Sequence, residues 1–78
     1  MNELVKILFS IRDEKEMNEF LLGLFTEGEI TEVTKRIEIV KKLKAGVPHQ
    51  QIAKELGVGV ATVTRGSKEL QKGRFTQV

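Results

Sequence analysis

The sequence predicts an all-α fold of five helices, and three observations carry that prediction. Apolar residues recur at three- and four-residue spacing from Leu4 to Leu70 instead of alternating. The composition is rich in Leu, Val, Lys and Glu, with four Phe as the only aromatics and a single Pro. Capping residues and glycines divide the apolar pattern at helix-length intervals, and nothing reads as a strand, a repeat or a long linker.

Leu4, Val5, Leu8 and Phe9 share one helical face and predict a first helix over 2–11, with Asn2 as its N-cap. Asp13 with Glu16 three residues later resembles a capping box. It leads into Met17, Phe20, Leu21 and Leu24, a second helix ending near Phe25. Thr26 with Glu29 repeats that signal. The third helix then carries Ile30, Val33, Ile37, Val40 and Leu43 on one stripe, with opposite charges at i,i+4 in Glu32/Arg36 and Glu38/Lys42. Gly46 suits the position just past this helix, and Pro48 the first turn of a short fourth helix, Pro48 to Leu56, which Gly57 ends. A fifth helix is predicted from Val60 to Gln71. Gly73 breaks it, and Arg74–Val78 forms a tail.

A chain of 78 residues is one domain, with too little apolar surface to be robust alone, so oligomerisation is expected. Net charge is only +2 but unevenly spread. Residues 1–32 carry three basic and eight acidic side chains, a balance of −5; residues 33–78 carry ten and three, a balance of +7. A basic half on a helical domain points to a polyanion partner. There is no Cys and only one His, His49, which excludes a disulfide framework and a His/Cys metal set. The same scarcity leaves nothing to run acid–base or nucleophilic chemistry, so no enzyme is expected. No apolar run approaches the ~20 residues that span a bilayer, and no leader precedes the first helix. A soluble cytoplasmic protein without cofactor or membrane contact is expected.

Residues 48–71 fit a helix-turn-helix. Ala53 is small where the two helices would touch, and Gly57, four residues later, tolerates positive φ in the turn. Ile52, Leu56, Val58 and Val63 stand at the inward positions. The second helix of such a unit enters the major groove with its N-terminal residues toward base edges. Here those residues are small. Val60, Ala61 and Thr62 are candidates for thymine methyls, and Thr62 and Thr64 for hydrogen bonds. With no Arg or Asn in that turn, specificity leans on water bridges and DNA shape. Gln50, Gln51, Lys54 and Lys68 are candidates for phosphates or the groove rim. A two-fold homodimer on a palindromic operator is the natural arrangement. The domain, 1–78, thus divides into dimerisation helices at 1–45, a helix-turn-helix at 48–71 and a tail at 72–78. Two rivals remain open: a constitutive DNA-binding relative without effector, and a helical dimerisation module that never meets DNA.

The stretch "GVGVATVTRGSKEL", preceded by "QQIAKEL" and "RIEIVKKL", closely resembles the tryptophan operon repressor family, and "ATVTRGS" is its most specific run. "FTEGE" resembles the family's segment between its second and third helices, and the resemblance extends from Leu4 to Leu70. It implies an intertwined all-helical homodimer that represses tryptophan biosynthesis or transport genes when L-tryptophan is bound. The family's two indole-flanking arginines match Arg36 and Arg65. Arg65 would also pair with the ligand carboxylate, and Thr26 would hydrogen-bond it. Gly66 would leave room beside the ring. Backbone carbonyls around Gly23 and Phe25 of the partner subunit would receive the ammonium. Glu69 departs from the family, which carries a serine there. On charge alone, Arg65 and Glu69 at i,i+4 could meet a zwitterion's carboxylate and ammonium. Other departures are a segment between Gly46 and Gly57 one residue shorter than usual, Ala53 in place of a lysine, and no counterpart in these residues to the family's further C-terminal helix.

Overall fold

The structure, a computed structural model, describes all residues 1–78. It contains five helices and no strands: α1 (Asn2–Ser10), α2 (Glu14–Leu24), α3 (Glu27–Lys44), α4 (His49–Leu56) and α5 (Val60–Gln71). The chain forms two compact units, Met1–Thr31 and Glu32–Val78.

In the first unit, α1 begins at Asn2, as predicted, and ends at Ser10, but its cap differs from the expected one. The Val5 N–H already donates to Met1 O, so Met1 is the N-cap; Asn2 is helical and caps nothing. The α2 boundary is set by Asp13, whose carboxylate accepts from Glu16 N at 3.1 Å. The start of α3 has the reciprocal arrangement. Thr26 Oγ1 accepts from Glu29 N at 3.1 Å, and Thr26 N donates to Glu29 Oε1 at 2.9 Å, so two otherwise orphaned donors are satisfied. Those bonds from Thr26, its backbone N–H foremost, hold the Glu29 carboxyl below the usual glutamate range. No residue of this unit is buried.

The second unit has a core. Ile39 and Val40 of α3, Ile52 and Ala53 of α4, and Val63 of α5 are buried, and Ile52 and Val63 are wholly inaccessible. Leu43, Val47, Leu56 and Val58 pack around Ile39, Ile52, Ala53 and Val63. The inward set predicted for the helical pair is therefore the observed one. The α3 stripe is not. Val33 and Ile37 are exposed at 40% each, and Ile39, outside the predicted stripe, is as deeply buried as Val40. Apolar residues at 33, 37 and 40 and at 39, 40 and 43 make two overlapping stripes; Ile39 and Leu43 of the second join the core with α4 and α5, while Val33 and Ile37 of the first stay exposed.

Two glycine turns hold the second unit together. Gly46 at φ +81° closes α3, with Gly46 N donating to Leu43 O and Val47 N to Lys42 O, both 3.0 Å. Gly57 at φ +64° closes α4, and the N–H groups of Gly57 and Val58 both donate to Ala53 O. Pro48 is the N-cap of α4, not its first helical residue: its ψ of 146° is extended while its carbonyl accepts from Ile52 N at 3.1 Å. The i,i+4 ion pairs expected on α3 do not form. Lys42 instead reaches Glu55 on α4 at 2.7 Å, Glu38 meets Lys41 at 3.8 Å, and Glu32 and Arg36 make no ion pair. Lys42 thereby crosses between helices, which a pairing within α3 would not achieve.

Candidate functional site

The α4–α5 pair exposes most of the residues singled out for DNA contact. Gln50, Gln51 and Lys54 lie exposed on α4; Val60, Ala61, Thr62 and Lys68 lie exposed on α5. Thr64, next to the buried Val63, is half-buried. Gln51 is partly engaged already, donating from Nε2 to Glu55 Oε1 at 2.8 Å. With Lys42 it holds the Glu55 carboxyl below the usual range, Lys42 being the larger influence. The α5 N-cap is Gly59, which offers no capping side chain. The first turn of α5 is therefore small, exposed and uncapped by any side chain.

On the other side of α5, within the second unit, a cleft of about 700 Å³ opens between α3 and α5. Its floor is Ile39 and Val40, and its walls include Arg36, Arg65 and Glu69. Four of the five predicted ligand residues, Arg36, Arg65, Gly66 and Glu69, thus line one cavity. The fifth, Thr26, belongs to the first unit, where its hydroxyl caps α3. That hydroxyl accepts from Glu29 and keeps its own hydrogen to donate. Ala61 and Thr62 also line the cleft, so the first turn of α5 belongs both to the cavity and to the exposed face.

Gly66 does more than leave room. A Cβ placed there would stand 3.2 Å from Ile39 Cγ2 and 3.5 Å from Leu43 Cδ1, so the bare backbone lets α5 approach α3 closely. Glu69 is not paired with Arg65. Its carboxylate takes the Arg74 guanidinium and Lys72 Nζ, the latter at 3.3 Å, and these hold it below the usual glutamate range, Arg74 first.

Two cleft residues were not foreseen: Arg74 and Phe75, from the tail. The signal for them was Gly73. A glycine at positive φ after a helix turns the chain back, and here Arg74 N donates to Glu69 O at 3.2 Å. The helix stop itself therefore sets Arg74 beside Glu69. With three guanidinium groups against the carboxylates of Glu32 and Glu69, the cleft carries a net positive charge that suits a ligand bearing a carboxylate. No group of His, Asp and Glu is gathered in a way that could hold a metal ion, and no helix is long and apolar enough to cross a membrane.

The chain is similar to known proteins. The family model described as Trp repressor protein matches residues 1–76. A Vibrio campbellii protein named Trp operon repressor homolog is 37% identical over 70 residues, covering 88% of this chain and 70% of its own length. A protein of the same name from Vibrio cholerae is 43% identical over 60 residues, 74% of this chain and 58% of its own. A Bacillus subtilis protein, Uncharacterized protein YerC, is 29% identical over 73 residues, 94% of this chain and 70% of its own. No solved structure matches the chain. The match along 1–76, with relatives of that name over most of the chain, shows that it belongs to the Trp repressor protein family, whose members are regulatory DNA-binding proteins and not enzymes.

Proposed function

We propose that the protein is a cytoplasmic homodimeric repressor that binds a palindromic DNA operator when L-tryptophan occupies the cleft between α3 and α5, and that it acts on genes of tryptophan biosynthesis or transport. One observation carries the proposal: the cleft and the exposed face of α5 share Ala61 and Thr62. A ligand between α3 and α5 would bear directly on the turn that meets base edges. The flat guanidinium groups of Arg36 and Arg65 suit the faces of an indole. Arg65 would also take the ligand carboxylate, and Glu69 the ammonium.

The DNA face follows from the same geometry. Val60, Ala61 and Thr62 are small enough to let the α5 backbone approach the major groove, and Thr62 and Thr64 bring hydroxyls. Gln50, Gln51, Lys54 and Lys68 would hold phosphates around them. The dimer is supported by apolar side chains that find no cover in one chain. Val5, Phe9, Leu22 and Leu24 of the first unit and Val33 and Ile37 of the second are all exposed. A second copy of this chain, covering them, would set the two α5 helices about one turn of DNA apart, roughly 34 Å. Gating would be a population shift, no larger than the ligand's preference for the DNA-competent state.

Calorimetric titration with L-tryptophan, with indole and L-tyrosine as controls, tests the effector. Saturation near one per chain, lost in Arg65→Ala, is expected. Operator affinity measured with and without ligand tests the gating. An Arg65→Ala protein that still needs L-tryptophan to bind operator would sink the assignment of that residue. Thr62→Ala should weaken operator binding more than binding to random DNA; equal losses would remove Thr62 from the base-reading face. Affinity for DNA should fall steeply with salt, as phosphate neutralisation requires.

A further inference from the structure

The tail from Arg74 to Val78 is tied down at several points. Gly73 N donates to Leu70 O at 3.0 Å and Arg74 N to Glu69 O, which closes α5. The Arg74 guanidinium pairs with the Glu69 carboxylate. Lys44, from the last turn of α3, donates its ammonium to the backbone oxygens of Phe75 and Val78, the latter at 2.8 Å. Phe75 has φ +65°, a backbone region sparsely populated by residues with side chains and held only where neighbouring contacts impose it. It is half-buried and lines the cleft beside Arg36 and Arg65.

We infer that residues 74–78 are a flap along the rim of the α3–α5 cleft, with Phe75 in its wall and Arg74 on Glu69, so that a ligand whose ammonium needs Glu69 binds tightly only when the flap is displaced. This rests on the reading of the cleft as the effector site. The two occupants compete for the same partners. An aromatic amino acid beside the two arginines would press on the wall that Phe75 helps to form. Its ammonium needs the Glu69 carboxylate, and Arg74 holds that group. Lys44 is a positioning residue: it contributes nothing to the cavity lining, and fixes the flap through the backbone. Effector affinity is then lowered by the fraction of time the flap stays closed, so opening a flap shut nine-tenths of the time strengthens apparent binding about tenfold.

Closure and competition are tested separately, both on the full chain. The protein has no Trp or Tyr, so F75W emission reports the flap without ligand. Emission shifted to the blue and shielded from iodide is expected, with both effects lost when K44M is added. An F75W signal already open to iodide overturns the flap. Calorimetry then compares L-tryptophan binding to the parent, F75A and K44M proteins. About tenfold tighter binding in both variants is expected. Unchanged affinity in both, with F75W shielded, overturns the competition. Shielded F75W with no L-tryptophan binding by the parent or either variant sinks the effector reading, while the emission upholds the closed flap.

Discussion

The two units of this chain solve the same problem in opposite ways. Met1–Thr31 consists of the whole of α1 and α2 and the start of α3, and buries no side chain. Its amphipathic helices leave Phe9 84% exposed and Leu22 51% exposed. Glu32–Val78 closes its own core over Ile39, Ile52 and Val63. The charge divides in step, −5 over residues 1–32 and +7 over residues 33–78. The basic unit is the one with a buried core of its own, and it holds both the exposed α5 turn and the cleft. The acidic unit offers apolar surface in search of cover. Packing is internal where the chain would meet DNA and ligand, and external where it would meet its copy.

The sharpest way to break that contrast is to remove apolar volume from each side. Ile52→Ala deletes a wholly buried side chain touching α3 and α5 and should cost about 2–5 kcal/mol, enough to unfold the second unit at ordinary temperatures. Urea unfolding followed by circular dichroism checks it. Leu22→Ala should behave differently. It should leave the dilute chain unchanged and lower the thermal midpoint only at concentrations where copies associate. A concentration-independent loss for Leu22→Ala would mean that the first unit is stabilised internally after all.

Much of this division was legible in the sequence. Ile52, Ala53, Leu56, Val58 and Val63 were read as inward because a short helical pair leaves each of them one place to go. The helix ends were legible wherever a side chain or glycine does the capping: Asp13, Thr26, Gly46 and Gly57. The reading faltered where local pattern underdetermines direction. On α3, two apolar stripes share Val40, and periodicity alone could not tell which one meets α4 and α5; Ile39 was missed for that reason. Charges at i,i+4 are neighbours on any helix, so Glu38/Lys42 was a fair expectation. A partner on α4 at 2.7 Å claimed Lys42 instead, and no spacing rule contains that fact. The tail read as a tail because its ties to Lys44 span more than thirty residues.

Backbone conformation gives the next largest effect. Gly57 stands at φ +64° with nothing near the place of a Cβ, so Gly57→Ala meets no clash and tests the left-handed turn alone. It should destabilise the second unit by about 1 kcal/mol, read as a shift in the urea midpoint at constant slope. Gly23 sits in α2 of the first unit with equally open space and an ordinary helical backbone. Gly23→Ala should stabilise by up to about 1 kcal/mol. Opposite signs for two unobstructed glycines would confirm that conformation, not room, fixes Gly57.

Helix capping probes the first unit where it is best satisfied. Thr26→Ala removes the acceptor of Glu29 N and should cost about 1 kcal/mol of helix stability. Thr26→Ser keeps the hydroxyl and should restore most of it. The pair also separates two roles of one side chain. If L-tryptophan binding falls in Thr26→Ala and returns in Thr26→Ser, the hydroxyl serves ligand and cap together; binding that ignores both substitutions leaves it the cap alone.

The smallest expected effect concerns the ion pair that joins two helices of the second unit, Lys42 with Glu55. Lys42, and then Gln51, hold the Glu55 carboxyl below the usual glutamate range. A carboxylate whose folded pKa is depressed stabilises the fold above its unfolded value and loses that contribution as pH falls through the folded one. Lys42→Met should therefore be slightly less stable than the parent at neutral pH, and the gap should close below the usual glutamate range. The gap is small because both side chains are about one-third exposed, at 32% and 37%, and water screens them. Thermal midpoints of both proteins at neutral and acid pH measure it. A gap that persists in acid would assign the loss to the packed lysine stem instead of its charge. A gap that closes would show the second unit tied by charge as well as by core, and so set it further apart from the first.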